Sequence, residues 1–273
     1  MTHLVVRRLL IDLEKPFARD WCGGDAFATA FFNALSMSFP FGEQFFIDAV
    51  RGTVARLSPE SQARHGAEVR GFIGQEATHR RIHSLFNAHL VGQGLVDDWT
   101  PRVQKRLKLL EGTDVRHALA ITAANEHFTA MFADWLLAHP HVLDGAEPRL
   151  RSMWLWHSAE ESEHKNTAID LYRAAQGGEK WRVRWFRRTT VMFMSDLVRQ
   201  IVANLRHEGQ LWKWTTWRSG ARILFGRNGL IRGNLRTWRS YFRSDFHPSQ
   251  HESGLSERWL RDNEALFAPV APA

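Results

Sequence analysis

The sequence predicts an all-α protein, a four-helix bundle followed by additional C-terminal helices. Three observations predict it. From Asp25 onward apolar residues recur at steps of three and four, and period-2 strand patterns are nearly absent. Pro, Gly and helix-cap residues punctuate the helical stretches at loop lengths that antiparallel neighbours use. The 273 residues, 44% of them hydrophobic, suffice for one large domain with an appendage.

Residues 1–24 read as an N-terminal arm, where Leu4, Val6, Leu9, Ile11 and Leu13 alternate loosely with polar neighbours. AFATAFFNALSMSF (26–39) is an apolar helix that Pro40 and Gly42 should break or kink, and EQFFIDAVRGTVARL (43–57) resumes it. Ser58-Pro59 places a cap residue before a proline in the first turn, starting a helix that runs to about Leu90 and ends in Gly92 and Gly94. A short helix fits 100–110. Thr113 or Asp114 caps VRHALAITAANEHFTAMFADWLLA, which Pro140 closes, and Pro148 opens a helix ending at Gly177-Gly178. Helical patterning continues over 183–207, 210–224 and 233–242. The expected division is arm 1–24, metal-binding bundle 25–178, a basic Trp-rich helical extension 179–248 packed on it, and a loosely held tail 249–273.

Composition narrows the chemistry. The single cysteine, Cys22, rules out an intrachain disulfide and a Cys-based zinc site, so any metal must be held by His and carboxylates. The net charge of +7 is uneven: residues 180–246 carry 15 Lys and Arg against Asp196, Glu208 and Asp245, with six of the 12 Trp. No run of 18 uncharged apolar residues exists, and the start lacks a signal-peptide pattern. A cytoplasmic location is expected. The Arg- and Trp-rich stretch 181–225 has the character of an element lying on the inner membrane face, and its alternative use is to cover the bundle or form a homodimer. Nucleic-acid binding is disfavoured because no recognised motif accompanies the charge.

The helical seams carry the functional signal. In the second helix the seam runs Phe72, Glu76, His79, His83, Phe86, Leu90, so three ionisable groups share a stripe with large apolar residues. In the fourth it runs His157, Glu161, His164, Ala168, Leu171. The third contributes Glu126 among Leu119, Thr122, Thr129, Ala133 and Leu136, and the first contributes Glu43 ahead of Val50, Val54 and Leu57. Burying such groups without partners costs several kcal/mol each. The spacing repeats as Glu76-Ala-Thr-His79 and Glu161-Ser-Glu-His164, with lone glutamates on the other two helices. A step of three sets a carboxylate and an imidazole on one face, and the order Glu, Glu-x-x-His, Glu, Glu-x-x-His is the ligand set of dinuclear carboxylate bundles. The candidate ligands and catalytic residues are therefore Glu43, Glu76, His79, Glu126, Glu161 and His164. His83, His157 and Glu160 are further candidates, as added ligands or as hydrogen-bond partners of the ligands. Asn125 and Asp170 are read as outer partners, His127 and Tyr172 as structural, and Glu163 and Lys165 as belonging to the solvated or outer part of the helix.

The stretches Trp21-Cys-Gly-Gly-Asp25, Ala34-Leu-Ser-Met-Ser-Phe-Pro-Phe-Gly-Glu43, Gln75-Glu-Ala-Thr-His79, Glu126-His-Phe-Thr-Ala130, Trp156-His-Ser-Ala-Glu-Glu-Ser-Glu-His-Lys165 and Phe246-His-Pro248 resemble the bacterial family described as "predicted metal-dependent hydrolase". The resemblance implies metal dependence and a ferritin-like helical fold.

Three functions fit. The first is a di-iron oxidoreductase that uses O2, with electrons from an external donor, on a small apolar or amphipathic substrate. Its cofactor would be two Fe, with Mn, mixed Mn/Fe or Zn as alternatives. The second is a metal-dependent hydrolase using a hydroxide that bridges the ions. The third is a non-enzymatic ferritin-like metal-binding protein.

Overall fold

The structure, a computed structural model, describes residues 4–270. In chain order it comprises β1 (Arg7–Leu9), α1 (Ala26–Val54), α2 (Pro59–Gly92), α3 (Trp99–Leu107), α4 (Val115–Ala138), α5 (Pro148–His164), α6 (Thr167–Ala174), α7 (Glu179–His207), α8 (Trp214–Phe225), α9 (Leu230–Ser240), α10 (Leu255–Asp262) and β2 (Phe267–Pro269). The fold is an all-α helical bundle: α1, α2, α4 and the α5–α6 pair surround one core, and α7 runs along α1 and α4.

The caps explain where these helices begin. The Asp25 carboxylate accepts from the Ala28 N–H at 3.0 Å, and Ser58 Oγ accepts from the Ser61 N–H at 3.3 Å with Pro59 next in line. Between Thr113 and Asp114 it is Asp114 that caps α4, accepting from the Arg116 N–H at 2.9 Å.

Three expectations need correction. Pro40 does not break the first helix: α1 is continuous over 29 residues with Pro40 inside it. The bond that Pro40 forfeits is outweighed by burial of Phe39, Phe46 and Ile47 around it. The fourth helix does not run unbroken to Gly177. It stops at His164 and restarts at Thr167, and in that gap Lys165 is buried, its Nζ donating to the His251 carbonyl at 3.0 Å. Lys165 is thus no solvated residue, because α10 and its approach cover it. The segment expected as a loose tail, 249–273, is folded over its described residues up to 270. α10 packs on α5, Ser256 Oγ donates to the Ala159 carbonyl at 2.6 Å, and β2 pairs antiparallel with β1 in the register Leu9↔Phe267. Two three-residue strands carry too little periodicity to be read from sequence.

The arm crosses α2 where that helix has no side chains to obstruct it. A Cβ at Gly71 would lie 2.4 Å from Leu4 Cβ, and one at Gly74 would lie 2.3 Å from a Val6 methyl. This close approach delivers Arg7 to the bundle's core. The seam of α2 is the fold's centre: Phe72, Glu76, His79, His83, Phe86 and Leu90 are all 0% exposed.

Candidate metal centre

Four helices bring six ionisable side chains to one place. Glu43 comes from α1, Glu76 and His79 from α2, Glu126 from α4, and Glu161 and His164 from α5, and all are buried. Ligand-capable atoms of Glu43, Glu76 and His79 lie within 4.8 Å of one another, and so do those of Glu76, Glu126 and His164. Glu76 belongs to both groups. Glu161 joins a third group with His79 and His164, so it faces both imidazoles. The result is two adjoining nests with Glu76 in common and Glu161 across them.

The contacts within this cluster are direct. His164 Nδ1 lies 3.0 Å from Glu126 Oε2 and His164 Nε2 lies 3.7 Å from Glu161 Oε1, while His79 Nδ1 is 3.2 Å from Glu161 Oε1. Yet buried atoms on every one of the six residues lack an aligned hydrogen-bond partner: both oxygens of Glu43 and of Glu76, one each of Glu126 and Glu161, His79 Nδ1 and His164 Nε2. Native interiors rarely leave such atoms unsatisfied, and a cluster of them on converging donors fits a divalent cation better than a hydrogen-bond network.

Electrostatics point the same way. Burial drives the carboxyls of Glu43 and Glu76 well above the ordinary carboxylate range, with Glu161 and Glu126 adding repulsion in both cases. Burial likewise raises Glu126, although His164 beside it pulls the other way. Burial acts to raise Glu161 as well, but the imidazoles of His164 and His79 beside it hold it well below. Burial acts to deprotonate His79, yet its hydrogen bond to Glu160 and the Glu161 carboxylate beside it raise it to about 10. Four carboxylates packed this closely cannot all ionise without positive charge among them.

A second layer orients the first. Glu160 accepts from His79 at 3.0 Å between Oε2 and Nε2, while its other oxygen receives Arg7 Nη1 at 3.1 Å. Both Glu160 oxygens are therefore committed, and His79 is left with Nδ1 toward the cluster. Glu163, expected on the solvated or outer part of the helix, is partly exposed and is clasped there by Arg7 at 2.6 Å and by Gln75 Nε2 at 2.8 Å. Periodicity singles out neither Arg7 nor Gln75, whose partners lie 153 and 88 residues away along the chain.

His83 and His157 form a column beside the cluster. His83 Nε2 lies 2.6 Å from His157 Nδ1, and His157 Nε2 lies 2.8 Å from Glu161 Oε1 and 4.0 Å from Glu43 Oε1. At the outer end Ser36 Oγ lies 2.8 Å from His83 Nδ1 and donates to Asn87 Oδ1 at 2.7 Å. Burial, then the neighbouring charged imidazoles, keep both rings neutral, with His157 lowered to about 4.

The remaining expectations are placed as follows. His127 Nε2–H donates to the Thr237 carbonyl at 3.1 Å and the ring packs among Phe186, Tyr241 and Phe246, a structural role. Tyr172 donates to the Gly178 carbonyl at 2.9 Å and is core. Asp170 is not a partner of the cluster: it faces His247 Nε2 at 2.9 Å, tying α6 to the Phe246-His-Pro248 stretch. Asn125 donates to the Ile121 carbonyl and lines a cleft instead.

That cleft has a volume of about 890 Å³ and lies between α1, α3, α4 and α7. Its wall includes Phe39, Gly42 and Phe46, which flank Glu43 along α1, and Asn125 and Thr129, which flank Glu126 along α4. A second apolar cavity of about 320 Å³ meets it at Phe39, Thr129 and Phe193. The Phe39 ring stands 4.6 Å from that of His83 and 4.8 Å from that of His157, so one residue touches both cavities and the histidine column. Sequence periodicity marks core faces and gives no sign of such space.

The family model described as "Predicted metal-dependent hydrolase" matches residues 5–252, and the chain belongs to that family. No curated protein and no solved structure matches the chain at a significant level.

Proposed function

Taking that membership as the premise, we propose that the chain is a dinuclear metal enzyme that uses O2 to oxidise an apolar or amphipathic organic substrate. The observation that carries this reading is the donor set. Four carboxylates and two imidazoles converge from four helices, each with a buried atom that no protein group satisfies. Hard carboxylates with imidazole suit two Fe, with Mn, mixed Mn/Fe and Zn as alternatives. Bound there, two iron ions would supply the redox chemistry that reduces O2, with electrons from an external donor.

The chain's own residues have distinct tasks. Glu43, Glu76 and His79 would hold one ion, Glu76, Glu126 and His164 the other, with Glu161 reaching toward both. Glu160 and Arg7 fix the His79 ring so that Nδ1 faces inward. The column fixes His157 as well. Asn87 Nδ2 donates to the Ser36 carbonyl, so its Oδ1 takes the Ser36 hydroxyl proton. Ser36 then accepts from His83 Nδ1–H, and His83 Nε2 accepts from His157 Nδ1–H. His157 Nε2 is left with a lone pair aimed at Glu161 and Glu43, a contact that asks for a cation between them. His157 is thereby read as an added ligand and His83 as its support. The apolar walls of the smaller cavity, and those that Phe39, Phe45, Phe46 and Trp99 give the larger cleft, suit a hydrocarbon substrate.

Metal-dependent hydrolysis is the second reading, favoured by the description of the family. The test is anaerobic loading with Fe(II) followed by exposure to O2. A ligand-to-metal absorption band with O2 uptake supports oxidation. Iron retention with no O2 uptake, together with O2-independent turnover of generic esters, overturns it in favour of hydrolysis.

A further inference from the structure

The face made by the α7–α8 loop, α8 and α9 has a composition that the fold does not require. Trp212 is 92% exposed and Trp214 76%, on either side of Lys213. From Trp214 an outward stripe continues at steps of three and four through Trp217, Ala221 and Phe225, all exposed. The opposite face of α8 is already seated: Thr216, Gly220 and Ile223 are buried, and a Cβ at Gly220 would lie 2.6 Å from the Phe27 ring. On α9, Ile231 and Leu235 form a second exposed apolar pair, beside exposed Arg232, Arg236 and Arg239.

The charge of this face is equally one-sided. Residues 209–244 contain Lys213, Arg218, Arg222, Arg227, Arg232, Arg236, Arg239 and Arg243 and no acidic residue. Among the described residues, only Arg222 and Arg243 of these have a carboxylate partner. Exposed Trp, Phe, Ile and Leu interleaved with unpaired Arg lose free energy in water. They regain it where an apolar layer lies under an anionic surface.

We infer that this face docks on an anionic lipid membrane, with Trp212, Trp214 and Phe225 entering the interface and the arginines meeting lipid phosphates. No helix among the described residues is long and apolar enough to cross a membrane, so the contact is peripheral. A second copy of the chain would bring the same unpaired positive charge against itself. A nucleic acid would meet the arginines but gain nothing from Ile231 and Leu235. The docking stands whichever reaction the metal centre performs. One consequence rests on the oxidation reading: Ile231 and Leu235 also line the smaller cavity, which meets the larger cleft at Phe39. A chain drawn from the lipid would enter a cavity that shares Phe39 and Thr129 with the cleft alongside Glu43 and Glu126.

The test is flotation of the full chain with vesicles of phosphatidylcholine containing about one-third phosphatidylglycerol, against pure phosphatidylcholine, at about 0.15 M salt. The expected result is co-flotation with the anionic vesicles and little with the neutral ones. Partitioning should fall by about tenfold or more in the double variant Trp212→Ala/Trp214→Ala. A similar loss is expected in Arg232→Gln/Arg236→Gln/Arg239→Gln, whose residues are solvent-facing and leave the core intact. Unbound protein in the anionic arm overturns the proposal, as does equal flotation of wild type and the Trp double variant. So does a dimer that the Trp variant abolishes, or tighter binding to single-stranded DNA than to the vesicles. Metal content measured on the same variants should be unchanged, and Glu161→Ala should still float, which separates this face from the metal centre.

Discussion

The walls of the metal centre and the α8–α9 face break the same rule in opposite directions. Along α2 and α5, carboxylates and imidazoles are buried without enough hydrogen bonds; along α8 and α9, Trp, Phe, Ile and Leu stand in solvent. Each arrangement is locally unfavourable, and each becomes favourable only when something outside the chain is bound, cations in the first case and an apolar anionic surface in the second. The difference lies in what surrounds them. The buried cluster is held by a second layer of Arg7, Glu160, Glu163 and Gln75, so its geometry is set before any ligand arrives. The outer face has no such support, and its side chains are free to adapt.

The comparison is tested hardest at Glu161, which faces both imidazoles. Glu161→Ala should lower metal affinity by about 100-fold or more and leave substoichiometric metal in elemental analysis. Full stoichiometry in that variant would sink the ligand assignment. Chelation of the wild type should lower its melting temperature by about 10 °C, the shift expected for removing a ligand held about 1,000-fold above its Kd.

The pH response separates loaded from metal-free protein. Glu43 and Glu76 are raised, so their burial is costless below the ordinary carboxylate range and costs stability as pH climbs. His79 is raised to about 10, so its stabilising contribution is present below the ordinary imidazole range and is lost as pH rises toward 10. Both act in one direction. Metal-free protein should lose stability between about pH 7 and pH 10, while the metal-loaded form, whose ligands are already deprotonated, should be flat there. Thermal melts of both forms across that range check it. Proton release on metal addition to weakly buffered protein is the companion measurement.

Smaller effects probe the support. Glu160→Gln keeps the shape but weakens the grip on His79 and should cost about tenfold in metal affinity, measured by competition with a chromophoric chelator. Gly71→Ala would push Leu4 off α2 and so loosen Arg7, costing about 1–3 kcal/mol in denaturant unfolding. At the bottom of the scale, Trp212→Ala/Trp214→Ala should change unfolding free energy by no more than about 0.5 kcal/mol, as surface substitutions do. A large destabilisation there would mean the face is structural.

What was legible in the sequence follows from which signals are periodic. The α2 seam could be read because a 3.6-residue repeat places Glu76, His79 and His83 on the stripe of Phe72, Phe86 and Leu90, and all six are fully buried. The doubled Glu-x-x-His spacing then paired α2 with α5, and the structure brings both to the same cluster. Non-periodic partnerships were invisible. Nothing near Arg7 in sequence announces Glu160 and Glu163, and nothing near Lys165 announces the His251 carbonyl that takes its ammonium. Pro40 misled for the opposite reason, since a local breaker is overridden where the helix on both sides is buried.

The pairing of β1 with β2 has a consequence for biosynthesis. Arg7 belongs to β1, and the strand that pins β1 is made of residues 267–269, translated some 260 residues later. A nascent chain therefore carries all six ligands well before β2 is made to pin the strand that holds Arg7. Metal captured before then would meet a centre whose Arg7 strand has no partner, whereas metal arriving after release would meet the finished fold.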